Sequence, residues 1–158
     1  VILEAIKLLP KNISEKTQFH FTTIKDNKEK YSQFLLKNYS SLENIIFYGK
    51  VNRKKLLSMY NGMNCLLFPS KIETWGLPIS EAKAYDKPMF LANLPYSKEA
   101  CGDYKKVSFF DENSASNLAK LITEFVEGNH IFQGNTSPFD TSKDLHNWKE
   151  VFQYILTD

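Results

Sequence analysis

The segment covering residues 69–88 constrains the fold more than any other part of the chain. The apolar run at residues 65–68 is short enough for a buried strand, and a proline-serine pair ends it. A loop follows, and Leu77-Pro78 then opens a helical pattern that stops near Tyr85. Proline suits the first positions of a helix because it has no N–H group to leave unsatisfied. The segment therefore predicts a strand, a loop and a helix in direct succession.

Strand and helix patterns alternate along the whole chain. The predicted strands are residues 17–24, 44–48, 64–68, 88–92 and 106–110. The predicted helices are residues 1–9, 26–39, 52–60 with an Asn52 cap, 77–85, 96–101, a helix capped by Asn113 or Ser114 that ends near residue 127, and a tail helix at 142–156. This alternation predicts an α/β fold, a doubly wound parallel sheet with helices on both faces.

Composition fits one domain of ordinary globular type. A chain of 158 residues can bury a sizeable core, and a net charge of +2 is too small to imply a nucleic-acid partner. The two cysteines form no disulfide framework, and Cys65 is expected to be a small buried hydrophobe in a reducing compartment. No apolar run approaches a membrane span and no signal sequence is visible. The chain opens at Val1 inside a helical pattern, so it is expected to be a fragment.

Several side chains could have either a structural role or a ligand-binding role. His20 is expected to pack within its strand, since no second ligand stands at metal spacing. Tyr31, Phe34 and Leu35 are expected to form a core face of their helix. The basic run at residues 53–55 is expected to be a solvated first turn of a helix, with a phosphate contact as the alternative.

The start of the helix after the residue 69–76 loop is a candidate anion site. Ligands bind parallel sheets outside the carboxyl ends of the strands, which is where this loop lies. The N–H groups of Trp75, Gly76 and Leu77 are expected at the helix N-terminus, where the helix has donors without acceptors. A phosphate is the simplest ligand for such a group of donors.

Two glutamates frame this helix start. Glu73 and Glu81 lie in the context Pro-Ser-x-x-Glu-x-x-Gly-Leu-Pro-x-x-Glu-Ala-x-Ala, followed by Lys87-Pro88. This context resembles the Glu-x7-Glu motif of retaining glycosyltransferases with two Rossmann-like domains (GT-B fold), group 1 or family 4. The spacing alone is a weak signal, and the flanking residues supply the specificity. The alternative is a structural role for both residues, in which Glu81 complements the helix dipole from the first turn and Glu73 faces solvent in the loop.

The resemblance covers nearly the whole chain and implies its role. The chain looks like the C-terminal, donor-binding half of a hexosyltransferase, without its first strand and without the N-terminal half that binds a sugar or lipid-linked acceptor. The donor would be a UDP-sugar or a GDP-sugar, with no cofactor or metal. Relatives suggest bacterial capsule, lipopolysaccharide or exopolysaccharide synthesis in the cytoplasm, where the acceptor half would make any contact with the inner face of the membrane. The isolated chain is expected to transfer no sugar.

The resemblance also implies residue roles. Glu81 would accept hydrogen bonds from the ribose hydroxyls, and Glu73 would face the transferred sugar as the catalytic residue. The diphosphate would bind the N–H groups at Trp75, Gly76 and Leu77, together with an Arg and a Lys expected upstream of Val1.

A second loop departs from the family pattern. Residues 93–99 replace a glycine-rich turn, and Pro95 has no N–H to offer. Leu94 and Tyr96 are candidate donor-binding residues, with a structural role for Glu99 as the alternative. Asp86 also stands where the family commonly has a glycine. Asp tolerates the left-handed backbone conformation of such a turn, so the turn is still expected. The competing hypothesis for the whole chain is a non-catalytic Rossmann-like module that binds nucleotides or regulates.

Overall fold

A computed structural model describes residues 1–22, 30–39 and 41–135. Its strands are β1 (Phe19–Phe21), β2 (Ile45–Phe47), β3 (Leu66–Phe68), β4 (Met89–Ala92) and β5 (Val107–Phe110). Its helices are α1 (Ile2–Lys7), α2 (Lys11–Ser14), α3 (Lys30–Tyr39), α4 (Arg53–Gly62), α5 (Leu77–Ala84), α6 (Pro95–Cys101) and α7 (Ala115–Val126). The predicted tail helix at 142–156 lies outside the described residues.

All strand pairs are parallel, which confirms the predicted α/β fold. Strand β1 pairs with β2, with Phe19 opposite Ile45. Strand β4 pairs with β3 on one side and with β5 on the other, so that Met89 lies opposite both Leu66 and Val107. Within the described residues the strands form two sheets, with orders β1-β2 and β3-β4-β5, where the sequence predicted one. Strands β1 and β3 both line a cavity of about 1730 Å³.

Helices cover both faces of the β3-β4-β5 sheet. Successive side chains of β4 point to opposite faces and all are apolar, so each face needs a helical layer to bury them. Phe90 and Ala92 pack into one cluster with residues of α1 and α7. Met89 and Leu91 pack into a second cluster with residues of α4, α5 and α6. All four side chains are fully buried, as expected of a strand covered on both faces. Full burial of the three large side chains, Met89, Phe90 and Leu91, stabilises the fold by about 1.5–3 kcal/mol each.

Local signals predicted helix starts and turns well. Asn52 caps α4 by accepting from the Lys55 N–H at 2.9 Å, and Ser114 caps α7 by accepting from Asn117. Asp86 adopts the predicted left-handed turn with φ of 52°. Its carboxylate accepts from Lys106, and this contact holds the pKa of Asp86 below its usual value.

Four expectations about single elements were wrong in part. The predicted helix at residues 1–9 ends at Lys7, and the short helix α2 follows Pro10. Phe34 is 52% exposed although its neighbour Leu35 is buried, and the side chain of Tyr31 lies outside the described part. His20 belongs to β1 but is exposed, and it contacts Gln18 and Tyr48 rather than the core. Cys65 precedes β3 and is half-buried, and burial raises the pKa of its thiol to about 12.

The two-sided burial of β4 leads to a stability prediction. Leu91→Ala removes a fully buried side chain, so we expect the free energy of unfolding to fall by about 2–5 kcal/mol. The matched control is Leu8→Ala, the same chemical change at a residue that is 57% exposed, where the expected loss is about 0.5 kcal/mol. Urea unfolding followed by circular dichroism measures both. Equal losses would contradict the assignment of β4 as the centre of the core.

Candidate active site

The loop after β3 and the first turn of α5 form the candidate site. Gly76 is the N-cap of α5 with φ of 61° and ψ of 41°, and Pro78 lies in the first two helical positions, as predicted. The Ile79 N–H donates to the Gly76 carbonyl at 2.8 Å. Within the described residues the N–H groups of Trp75, Gly76 and Leu77 have no hydrogen-bond acceptor. The helix dipole adds partial positive charge at this point, so the N–H groups can receive an anion.

Only glycine fits at position 76. Its φ lies in the left-handed region that side chains rarely adopt. A Cβ atom at Gly76 would lie 3.0 Å from the Cβ atom of Ala100 in α6 and 3.3 Å from the Cδ1 atom of Ile79. The start of α5 is therefore held directly against α6, and the N–H groups of the loop are positioned by packing in the core.

Glu81 lies in the second turn of α5 and has two polar neighbours from α4. Its side chain is 16% exposed and accepts a charged hydrogen bond from Arg53. Burial, followed by the hydrogen bond to Glu81, raises the pKa of Tyr60 above its ordinary value. The Tyr60 ring also stacks on Tyr85 with the ring centroids 5.9 Å apart. Glu81 is thus a largely enclosed carboxylate held between two helices.

Glu73 lies in a loop that is tied down at several points. The Tyr96 hydroxyl donates to the Ser70 carbonyl at 2.5 Å, and Lys71 Nζ donates to Asn113 Oδ1 at 2.8 Å. Burial, followed by the charge of Glu73, raises the pKa of Tyr96. Tyr96 therefore anchors the loop and lies near the Glu73 carboxylate.

Five of the seven predicted site residues line one cavity, the same cavity that β1 and β3 share. They are Glu73, Trp75, Gly76, Leu77 and Glu81. Arg53 and Tyr60 also line it. Because both glutamates and the start of α5 face this space, it can hold a ligand that presents hydroxyl groups and an anion together.

Leu94 and Tyr96 do not line this cavity. The Leu94 side chain is partly buried against the cluster of α1 and α7, and its backbone is the N-cap of α6. The Ser97 hydroxyl donates to the Ala92 carbonyl at 2.5 Å and fixes the same turn. Contact of Leu94 and Tyr96 with a donor therefore stays a prediction.

Sequence reasoning missed the roles of Arg53 and Tyr60 beside Glu81. The basic run at residues 53–55 was the available signal, but a charge run is usually solvated. Arg53 is 65% exposed and so is solvated as expected, yet it also pairs with a site carboxylate. Tyr60 occupies a core position in the helical pattern of α4, and nothing in that pattern indicates that its hydroxyl lies beside a carboxylate.

Among the described residues no group of three or more His, Cys, Asp or Glu side chains could hold a metal ion. None of the helices that the structure describes is long and apolar enough to cross a membrane.

The comparison with known proteins identifies the family. The model of the glycosyl transferases group 1 family matches residues 1–144, and the chain belongs to this family. A serotype-specific mannosyltransferase WbdA of Escherichia coli is 23% identical over 122 residues, covering 77% of this chain and 14% of the relative. An uncharacterized 41.2 kDa protein in the cps region of Klebsiella pneumoniae is 26% identical over 108 residues, covering 68% of this chain and 25% of the relative.

The chain spans between 14% and 25% of the length of these curated relatives. No solved structure matches the chain. The α/β fold with parallel strands agrees with the family assignment.

The geometry of Gly76 leads to a second stability prediction. We expect Gly76→Ala to lower the free energy of unfolding by about 1–3 kcal/mol, because the left-handed backbone costs about 1–2 kcal/mol and the new Cβ crowds Ala100. Gly62→Ala is the matched control, since nothing lies within 4 Å of its added Cβ. We expect that control to leave stability unchanged or to raise it by about 0.4–1 kcal/mol. A Gly76 variant as stable as the Gly62 variant in urea unfolding would contradict the described backbone.

Proposed function

We propose that this chain is the donor-binding half of a retaining hexosyltransferase of family 4 that uses a UDP-sugar or a GDP-sugar. The observation that carries the proposal is the shared cavity, in which Glu73 and Glu81 flank the start of α5. In a chain of the group 1 family, this arrangement supports the proposal that both motif carboxylates contact one ligand.

Glu81 binds the ribose of the nucleotide in this proposal. An ionised carboxylate offers only acceptors, which suits two neighbouring hydroxyl groups. Its low exposure strengthens such bonds, since solvent competes less for the carboxylate. Charged hydrogen bonds of this kind contribute about 1.5–3 kcal/mol to binding.

The diphosphate binds the N–H groups of Trp75, Gly76 and Leu77 at the start of α5. These donors are fixed by the packing of Gly76 on Ala100, so they need little reorganisation as charge develops on the leaving group. Basic residues preceding Val1 share this role in the proposal. In the proposal these N–H groups stabilise the diphosphate and the upstream basic residues balance its charge, without a divalent metal.

Glu73 faces the sugar that is transferred. Its carboxylate holds the sugar hydroxyls and stabilises positive charge at the anomeric carbon as the bond to the diphosphate breaks. Stereochemistry is retained by front-face substitution. The acceptor oxygen bonds to the anomeric carbon on the side from which the diphosphate leaves, and the acceptor hydroxyl gives its proton to the departing diphosphate. The hydrogen bond from the Tyr96 hydroxyl to the Ser70 carbonyl holds the loop that carries Glu73 in place.

We propose a role in bacterial surface polysaccharide synthesis, in the cytoplasm. The supporting observations are the names of the relatives, a mannosyltransferase of E. coli and a protein of the cps region of K. pneumoniae. A second α/β half binds the sugar or lipid-linked acceptor. The proposal also includes a further parallel strand that joins the two sheets, since β1 and β3 are not paired with each other in the described residues.

The ribose role of Glu81 gives the primary test. We expect UDP or GDP to shift the amide signals of residues 75–81 selectively in NMR titrations, with ADP as the comparison nucleotide. Glu81→Ala should weaken the preferred nucleotide by about tenfold, from loss of a charged hydrogen bond of about 1.5 kcal/mol. The control is Glu99→Ala, an exposed glutamate outside the cavity, which should leave affinity unchanged. Equal affinity of the Glu81 and Glu99 variants would overturn the ribose assignment.

The catalytic role of Glu73 gives a separate test in a protein that joins this chain to its acceptor half. We expect Glu73→Gln to lower sugar transfer on the order of 100-fold, since it removes a charge that acts on the transition state. Nucleotide affinity should stay within about twofold, because Glu73 faces the sugar. We expect the isolated chain to transfer no sugar. A Glu73 variant that loses affinity but keeps its turnover rate would place this residue on the nucleotide instead.

A further inference from the structure

Arg53 is the charged neighbour of the proposed ribose carboxylate. Its NH1 group donates to Oε1 of Glu81, which lies 28 residues further along the chain. Both residues line the cavity of the candidate site. This pairing links α4 to α5 at the point where the nucleotide is proposed to bind.

The position of Arg53 is fixed by the start of α4. Arg53 is the first helical residue, and the Asn52 side chain secures that start through the Lys55 N–H at 2.9 Å. Three consecutive cations at residues 53–55 disfavour the helix, because its N-terminus already carries partial positive charge. The helix itself therefore does not account for a cation at residue 53, whereas the Glu81 carboxylate does.

The pairing leaves Glu81 able to bind a ligand. Arg53 occupies one position on Oε1, and an ionised carboxylate has about four lone-pair positions. The hydroxyl of Tyr60 is a second partner and leaves further acceptor capacity. Two ribose hydroxyls can therefore bind without first displacing Arg53.

We propose that Arg53 is a positioning residue, which holds the Glu81 carboxylate in the orientation that accepts the ribose hydroxyls of the nucleotide. This inference rests on the proposed function. Arg53 acts through Glu81 and not as a general attractor of phosphate. Its effect is modest because its side chain is 65% exposed and the pair is screened by solvent.

The test is a double-mutant cycle on the 158-residue chain. Affinities for UDP and GDP are measured by NMR titration for the wild type, Arg53→Ala, Glu81→Gln and the double variant. We expect Arg53→Ala to weaken the preferred nucleotide by about three- to fivefold, which is the upper part of the range for a largely exposed ion pair. In the Glu81→Gln background the same change should have no further effect. Arg53→Lys should recover part of the affinity, since it restores a donor of the same charge.

Lys54→Ala is the matched control for charge. It removes one cation from the same helical turn, at an exposed residue that does not line the cavity. We expect affinity to stay within about twofold of the wild type, because exposed charges are largely screened. In the absence of nucleotide, the carboxyl ¹³C signal of Glu81 should move in the Arg53 variant and stay in place in the Lys54 variant.

Each outcome decides the inference. It is overturned if Arg53→Ala binds like the wild type, if its loss persists in the Glu81→Gln background, or if Lys54→Ala causes an equal loss. Failure of the proposed function looks different, since the wild type itself would then bind neither nucleotide, and the inference would fall with it. If the wild type binds and Glu81→Gln weakens binding while Arg53→Ala does not, only the role of Arg53 is refuted.

Discussion

The burial of β4 on both faces is the constraint on which the rest of the structure depends. Alternate side chains of a strand point to opposite faces, so four apolar residues in sequence need two helical layers to cover them. Helices α1 and α7 supply one layer, and α4, α5 and α6 supply the other. Parallel pairing with β3 and β5 then brings the carboxyl ends of these strands to one edge, where the candidate site lies.

The candidate active site is held rigid by packing against that core. Ile79 and Ala82 of α5 are fully buried in the second cluster, which fixes the axis of the helix. Gly76 lies against Ala100 at a distance that admits no side chain, so α5 begins at a defined point on α6. The N–H groups and both glutamates are therefore presented by a packed scaffold, and a ligand would gain from donors that are already in place.

Local chemistry explains what the sequence could predict. Asn52 and Ser114 cap helices through bonds to residues three positions away, and Asp86 turns left-handed within its own loop. These signals are contained in a few neighbouring residues. Errors arose where a distant partner decides the outcome. Phe34 follows a helical pattern but remains exposed, and the exposure of His20 depends on which elements cover β1. The division into two sheets is likewise a matter of long-range pairing.

Arg53 shows the same limit within the candidate site. The motif of Glu73 and Glu81 is visible in sequence because its members share one strand, loop and helix. The partner of Glu81 comes from a different helix, and a basic run of three residues does not indicate which cation turns toward a carboxylate. In the structure, Arg53 turns toward Glu81, while Lys55 lies over the Tyr48 ring with Nζ 5.3 Å from its centroid. A carboxylate that is 16% exposed has lost much of its hydration, and the charged donor of Arg53 compensates for part of that loss. Glu81 keeps further acceptor positions, which the proposed ribose diol can use.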